Sequence, residues 1–208
     1  MDLLISSLIG SGVEQPPKQI DNIKELENAI LTIYHKHGDR DMVEELFENS
    51  LSDDFPVNSV CTSGPLFCFV LDLKQYLSLN IIRVLVERGL DFGNIYMNGT
   101  CHRKIFRELE FNYSDVLWGI FIYICQNTNF VDTLPANDMF DILFGKIIIE
   151  NGKITFEFEP NVMIFKILLA YDKRRHRIKK ELLTVRNASL RECVKQKFPL
   201  ILNEILNS

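Results

Sequence analysis

No apolar run in this chain is long enough to cross a bilayer. The longest lies at about Val116–Cys125, and a spanning helix needs about 20 residues. The opening residues, Met1-Asp2-Leu3-Leu4-Ile5, lack the basic start of a secretion signal. Histidine is scarce, at four residues, which leaves little material for metal or acid–base chemistry. His35 and His37 sit two apart on an expected helix, where side chains diverge and cannot share one metal. Cys101 and His102 are adjacent, and Cys61 and Cys68 lack the close spacing of a zinc site. Gly10-Ser11-Gly12 is too short for a phosphate loop, and no Lys-Ser or Lys-Thr follows it. No Ser/His/Asp or Cys/His arrangement has a supporting context. The expectation is therefore a chain without catalytic activity, cofactor or metal. An enzyme of an unrecognised α+β fold is the more distant alternative.

Basic charge is also in deficit. The net charge is -5, which argues against general nucleic-acid binding. The five cysteines are odd in number and four lie among apolar neighbours, as buried free thiols of a reducing compartment do. The expected location is cytoplasmic, with a nuclear alternative. The apolar fraction of 47% is ample for a continuous core.

What the chain does contain is a phrase used twice. Asp41-Met42-Val43-Glu44-Glu45-Leu46-Phe47 and Asn80-Ile81-Ile82-Arg83-Val84-Leu85-Val86 follow one grammar at a constant offset of 39 residues (41 to 80). A polar residue opens each copy, two apolar residues follow, and another pair comes three positions on. That pattern is one apolar stripe on a short helix. A fixed period of this size points to stacked helix pairs, whose units present a surface.

The chain between the copies fits helix pairs. Residues 1–20 read as a leader, interrupted by Gly10-Ser11-Gly12 and Pro16-Pro17. Asp21 or Asn22 caps a helix from Ile23 to about Lys36, with Leu26, Ile30, Ile33 and Tyr34 on one face. Gly38 breaks it. Pro65 suits the first turn of a helix running to about Ser78. Gly89 suits the left-handed cap of the second repeated helix.

These residues resemble ankyrin repeats. Thr62-Ser63-Gly64-Pro65-Leu66-Phe67 stands where that family carries its Thr-Pro-Leu-His turn, with Pro65 and Leu66 matching. Ile81–Asp91 is close to the family's second helix and cap. Asn98-Gly99-Thr100 begins a further turn, with Cys101-His102 in place of Pro-Leu. The resemblance covers roughly 38–106 and is degenerate, as in divergent, viral-type members. It implies a mostly α, ankyrin-like solenoid over 21–187 and a protein-interaction role, including host–virus adaptors. The implied partner is a protein, contacted at turn tips around Asp54–Thr62 and Phe92–Thr100, with Phe55, Asn58, Tyr96 and Met97 as contact residues.

A different grammar enters near 146–159. Lys146–Glu150 and Lys153–Glu159 flank Asn151-Gly152. Asn-Gly between alternating apolar runs is the strongest short hairpin signal, because its turn needs positive φ at both central residues. An inserted β-hairpin is expected there.

Two features close the chain. Lys173, Arg174, Arg175, Arg177, Lys179 and Lys180 form a basic run, a candidate import signal or a solvated helix face. Residues 188–208 form capping or docking helices. Their Ser189-Leu190-Arg191-Glu192-Cys193 with Phe198-Pro199-Leu200 faintly resembles a SOCS box. That likeness implies an alternative role, a ubiquitin-ligase substrate adaptor docking through Leu190, Cys193 and Phe198. The family places its Cys four residues after the Leu, whereas Cys193 comes three after Leu190. That shift rotates it about 100° on a helix.

Overall fold

The computed structural model describes residues 19–95, 97, 99–111, 114–134, 147–151, 153–156, 162–172, 195–196, 199–200 and 203. The protein is mostly helical, with small two-stranded antiparallel sheets. It divides into two compact units, Met1–Leu90 and Asp91–Ser208. The boundary falls inside the stretch expected as one array.

The first unit holds two helix pairs. Helix α1 (Ile23–His35) starts where Asn22 accepts the Glu25 amide on its side chain, while the Glu25 carboxylate accepts the Asp21 amide. These bonds satisfy donors that a helix start leaves orphaned. Leu26, Ala29, Ile30 and Ile33 face the core. Tyr34 does not. It is 56% exposed, because the buried stripe runs 26-29-30-33 and position 34 has rotated past its edge.

The break after α1 also differs from expectation. His37, not Gly38, takes the left-handed backbone (φ 54). Its amide bonds Tyr34 O and the Gly38 amide bonds Ile33 O, the paired bonds of a Schellman cap. Gly38 serves a steric purpose. A Cβ there would lie 2.5 Å from Ile33 Cγ2.

Asp39 then caps α2 (Arg40–Asn49) by accepting the Met42 amide. Val43, Leu46 and Phe47 are buried, as the repeated phrase requires. Ser50 and Leu51 follow, and Leu51 forms a parallel bridge with Ile20. Strands β1 (Val60–Cys61) and β2 (Gly64–Pro65) make a minimal hairpin around Thr62-Ser63. It leads into α3 (Leu66–Asp72). The expected run to Ser78 stops early. Lys74 takes a positive φ of 47, and a 3-10 turn covers Lys74–Tyr76. Ser78 caps α4 (Leu79–Glu87), with Ile81, Ile82 and Leu85 buried. Gly89 (φ 86) closes α4 as the pattern predicts. Its amide bonds Val86 O, and the Leu90 amide bonds Leu85 O.

The second unit contains α5 (Thr100–Phe111) and α6 (Asp115–Asn127). Leu117, Ile120, Phe121, Ile124 and Cys125 of α6 are buried, but Ile122 stays partly exposed. The all-apolar run therefore packs on most of its circumference, not all. Phe92, Phe106, Phe121 and Phe130 meet edge to face, with Phe92 and Phe130 centroids 4.9 Å apart. Such geometry suits the aromatic quadrupole. The expected hairpin is present as β3 (Ile147–Glu150) and β4 (Lys153–Phe156), with Asn151 at φ 50 in its turn. Helix α7 (Val162–Ala170) follows, its Ile164 and Leu168 buried.

Candidate functional surface

The strongest organised surface of the first unit is built around the β1–β2 hairpin. Glu27 on α1 holds it. One carboxylate oxygen accepts the Thr62 amide at 2.8 Å and the other accepts the Thr62 hydroxyl at 2.9 Å. Leu31 lies one turn after Glu27 and Tyr34 nearly one turn further, and both are more than half exposed. Val60, on the tethered hairpin, is 46% exposed. Large apolar groups left in water on a fixed frame are candidate contact points.

Further bonds tie one helix pair to the next. Arg40 reaches Gln75 O, 35 residues on. Asn80 donates to Glu44, 36 residues back. Arg88 gives its guanidinium to the carbonyls of Leu51 and Ser52. The second unit repeats the theme. Asn129 donates to Asp91, 38 residues back, and accepts the Phe92 amide. Ile95, in the turn after Asp91, is 80% exposed.

A depression of about 350 Å³ opens between α2 and α4, lined by Glu48, Asn80, Arg83, Val84, Glu87 and Arg88. Its charges alternate in sign, and Asn80 and Arg88 already serve the links just described. Nothing in it converges on one bound group.

The expected contact residues fare differently. Phe55 is 4% exposed and Met97 is fully buried, so both belong to the core and cannot present a surface. Apolar side chains in turns flanked by polar residues were drawn inward because each turn folds back on its helix pair. Asn58 donates to Gly89 O at 2.9 Å and so holds the chain beside the α4 cap. Tyr96 lies outside the described residues, as do Leu190, Cys193, Phe198 and the basic run Lys173, Arg174, Arg175, Arg177, Lys179 and Lys180. The residues that do stand out, Leu31, Val60 and Ile95, carried a weak signal. Leu31 is apolar but off the buried stripe of α1, Val60 sits in a two-residue strand and Ile95 in a turn.

His102 is fully buried beside Phe130, whose ring it stacks on at 4.3 Å. Its Nε2 lies 2.7 Å from Phe130 O. A carbonyl only accepts, so Nε2 carries the proton in this contact. That makes His102 part of the packing. Cys61, Cys68, Cys101 and Cys125 are all buried free thiols. Burial, with Glu27 and then Cys68 nearby, pushes the Cys61 thiol from its ordinary 9.0 up to about 12. Burial alone also raises the Cys125 thiol. Thiols held protonated are poor nucleophiles and ligands. Among the described residues, no cluster of His, Cys, Asp and Glu could hold a metal ion, and no helix is long and apolar enough to cross a membrane.

Comparison with known proteins finds no matching family model, no matching curated protein and no matching solved structure.

Proposed function

We propose that this chain is a protein-interaction module built of stacked, ankyrin-like helix pairs. One observation carries the reading. Side-chain links between the two pairs of the first unit recur at separations of 35, 36 and 37 residues, and in the second unit links of 37 and 38 residues join the turns on either side of the α5–α6 pair. This spacing is close to the roughly 33-residue unit of ankyrin arrays. Stacked units of this kind bury their apolar faces on neighbours and leave turn tips and first helices to make contacts.

The contact surface of the first unit is Leu31 and Tyr34 on α1 with Val60 on the hairpin, in place of Phe55. Association through such a surface draws on a few exposed apolar and aromatic groups. The test is affinity purification from cells with the full chain and with a Leu31→Ser/Tyr34→Ser/Val60→Ser variant. Partners recovered by the first and lost by the second, with far-UV circular dichroism unchanged, support the reading. Identical partners for both would place binding elsewhere.

A further inference from the structure

Helix α1 carries an exposed row whose exposed charges are all basic. Lys24, Asn28, Leu31 and His35 fall on one stripe of the helix and all are exposed. Tyr34 stands beside the stripe, its ring edge to face with that of His35 at 5.8 Å. Lys36, the C-cap residue, is exposed at the end of the row. Both acids of α1 are half-buried and already serve the fold. Glu25 accepts the Asp21 amide, and Glu27 holds the Thr62 amide and hydroxyl on its two oxygens. The exposed side chains of the adjoining hairpin, Val60, Thr62 and Ser63, carry no charge. Along this stretch of chain exposed acids return only at Asp21 before the helix and Asp39 after it, and Asp39 caps α2. Acids outnumber bases in the whole chain, 28 against 23, so average composition does not supply such a row.

The helix dipole accounts for one end of it only. Cations are favoured at a helix C-terminus, where His35 and Lys36 stand. Lys24 lies in the first turn, where the same dipole disfavours it. Among the described residues it forms no ion pair that would offset this. The stability of its own helix therefore does not explain Lys24. It sets a cation on the far side of the apolar pair Leu31 and Tyr34. From Lys24 to Lys36 a helix rises about 18 Å. An extended peptide covers that distance in about six residues.

We propose, resting on the α1 contact surface described above, that its occupant is a short acidic segment of a partner protein, with carboxylates at both ends of a central apolar pair. The apolar groups cover Leu31 and Tyr34. The carboxylates meet Lys24 at one end and His35 and Lys36 at the other. Desolvated apolar anchors supply affinity, and rim charges supply orientation and selection against basic partners.

Fluorescence anisotropy of the full chain with labelled peptides tests this. The probes are Glu-Glu-Leu-Leu-Glu-Glu, Gln-Gln-Leu-Leu-Gln-Gln and Lys-Lys-Leu-Leu-Lys-Lys. The acidic peptide should bind about tenfold more tightly than the neutral one, and the basic one more weakly than either. Lys24→Glu/Lys36→Glu should reverse that order, because acid then faces acid. Leu31→Ser/Tyr34→Ser should weaken the acidic and neutral peptides by the same factor. All these positions are exposed, and matched melting temperatures establish that the variants are folded. Equal affinity for all peptides, no binding of any, or an acidic preference that survives the lysine reversals overturns the acidic partner. So does tighter binding of a labelled oligonucleotide, which would assign the cations to phosphate. Equal affinities that Leu31→Ser/Tyr34→Ser abolishes would leave the α1 surface standing and refute only the acidic partner. An acidic preference lost in Lys24→Glu/Lys36→Glu but untouched by Leu31→Ser/Tyr34→Ser would refute the seat on Leu31 and Tyr34.

Discussion

Glu27 takes both the amide and the hydroxyl of Thr62, 35 residues further along the chain, on the two oxygens of one carboxylate. The link joins the first helix of one pair to the hairpin that opens the next. It fixes the position of Val60 relative to Leu31 without using an apolar contact. Hydrogen bonds to a charged group are worth about 1.5–3 kcal/mol when shielded, and solvent at this exposed pair reduces that. Glu27→Ala should therefore cost about 1 kcal/mol in urea unfolding. Thr62→Val keeps the amide bond and should cost less. A loss at Thr62→Val equal to or above that at Glu27→Ala would mean the hydroxyl dominates the link.

Two adjacent residues should respond with opposite signs. His37 sits in the left-handed region, at φ 54, where a side chain costs about 1 kcal/mol relative to glycine. His37→Gly should stabilise the protein by up to that amount. Gly38→Ala should destabilise it, because the new Cβ would lie 2.5 Å from Ile33 Cγ2, inside the packed core of α1. The check is the denaturation midpoint of each variant. Destabilisation by His37→Gly would mean that the His37 side chain contributes more than its backbone strain costs.

Parts of this architecture were legible in the sequence because they rest on local rules. The repeated phrase marked α2 and α4, since both copies bury their third and sixth positions, Val43 and Leu46 in one and Ile82 and Leu85 in the other. Gly89 marked its cap, because a left-handed closure after an apolar helix favours glycine. Asn151-Gly152 marked the β3–β4 turn for the same conformational reason. The candidate surface was not legible. Phe55 and Met97 sit in polar turns, and only the fold of each turn back onto its helices shows them to be core. Tyr34 lies one position beyond the buried stripe, a difference of about 100° in direction that spacing alone does not resolve. The links at 35–38 residues join polar side chains to each other or to backbone, and such pairs leave no periodic trace.

Leu85 and Leu31 separate structure from binding. Leu85 is fully buried on α4, while Leu31 is 52% exposed on α1. Leu85→Ala removes buried methyl groups and leaves a cavity, so it should cost about 2–5 kcal/mol. Leu31→Ala lies away from any core contact and should change stability by less than about 0.5 kcal/mol. On the proposed function, only Leu31→Ala should weaken partner binding while the melting temperature holds. A cost at Leu31 comparable to that at Leu85 would show that Leu31 is covered in the folded protein.

The buried thiols predict how stability falls in base. The Cys61 pKa is raised from 9.0 to about 12, by burial first and by Glu27 and Cys68 after it. In the unfolded chain the thiol ionises near its ordinary value, so between pH 9 and about 12 the unfolded state has lost a proton that the native state retains. Stability falls with rising pH wherever the unfolded state binds fewer protons. The contribution is therefore fully present below pH 9 and is lost as the pH rises toward 12. Cys125, raised by burial, acts in the same direction. Cys61→Ala and Cys125→Ala should each flatten the decline in unfolding free energy measured across this range. Thiol-alkylating reagents at mildly basic pH should label both residues only when the protein unfolds, and rapid labelling of the native chain would contradict their protonated, buried state.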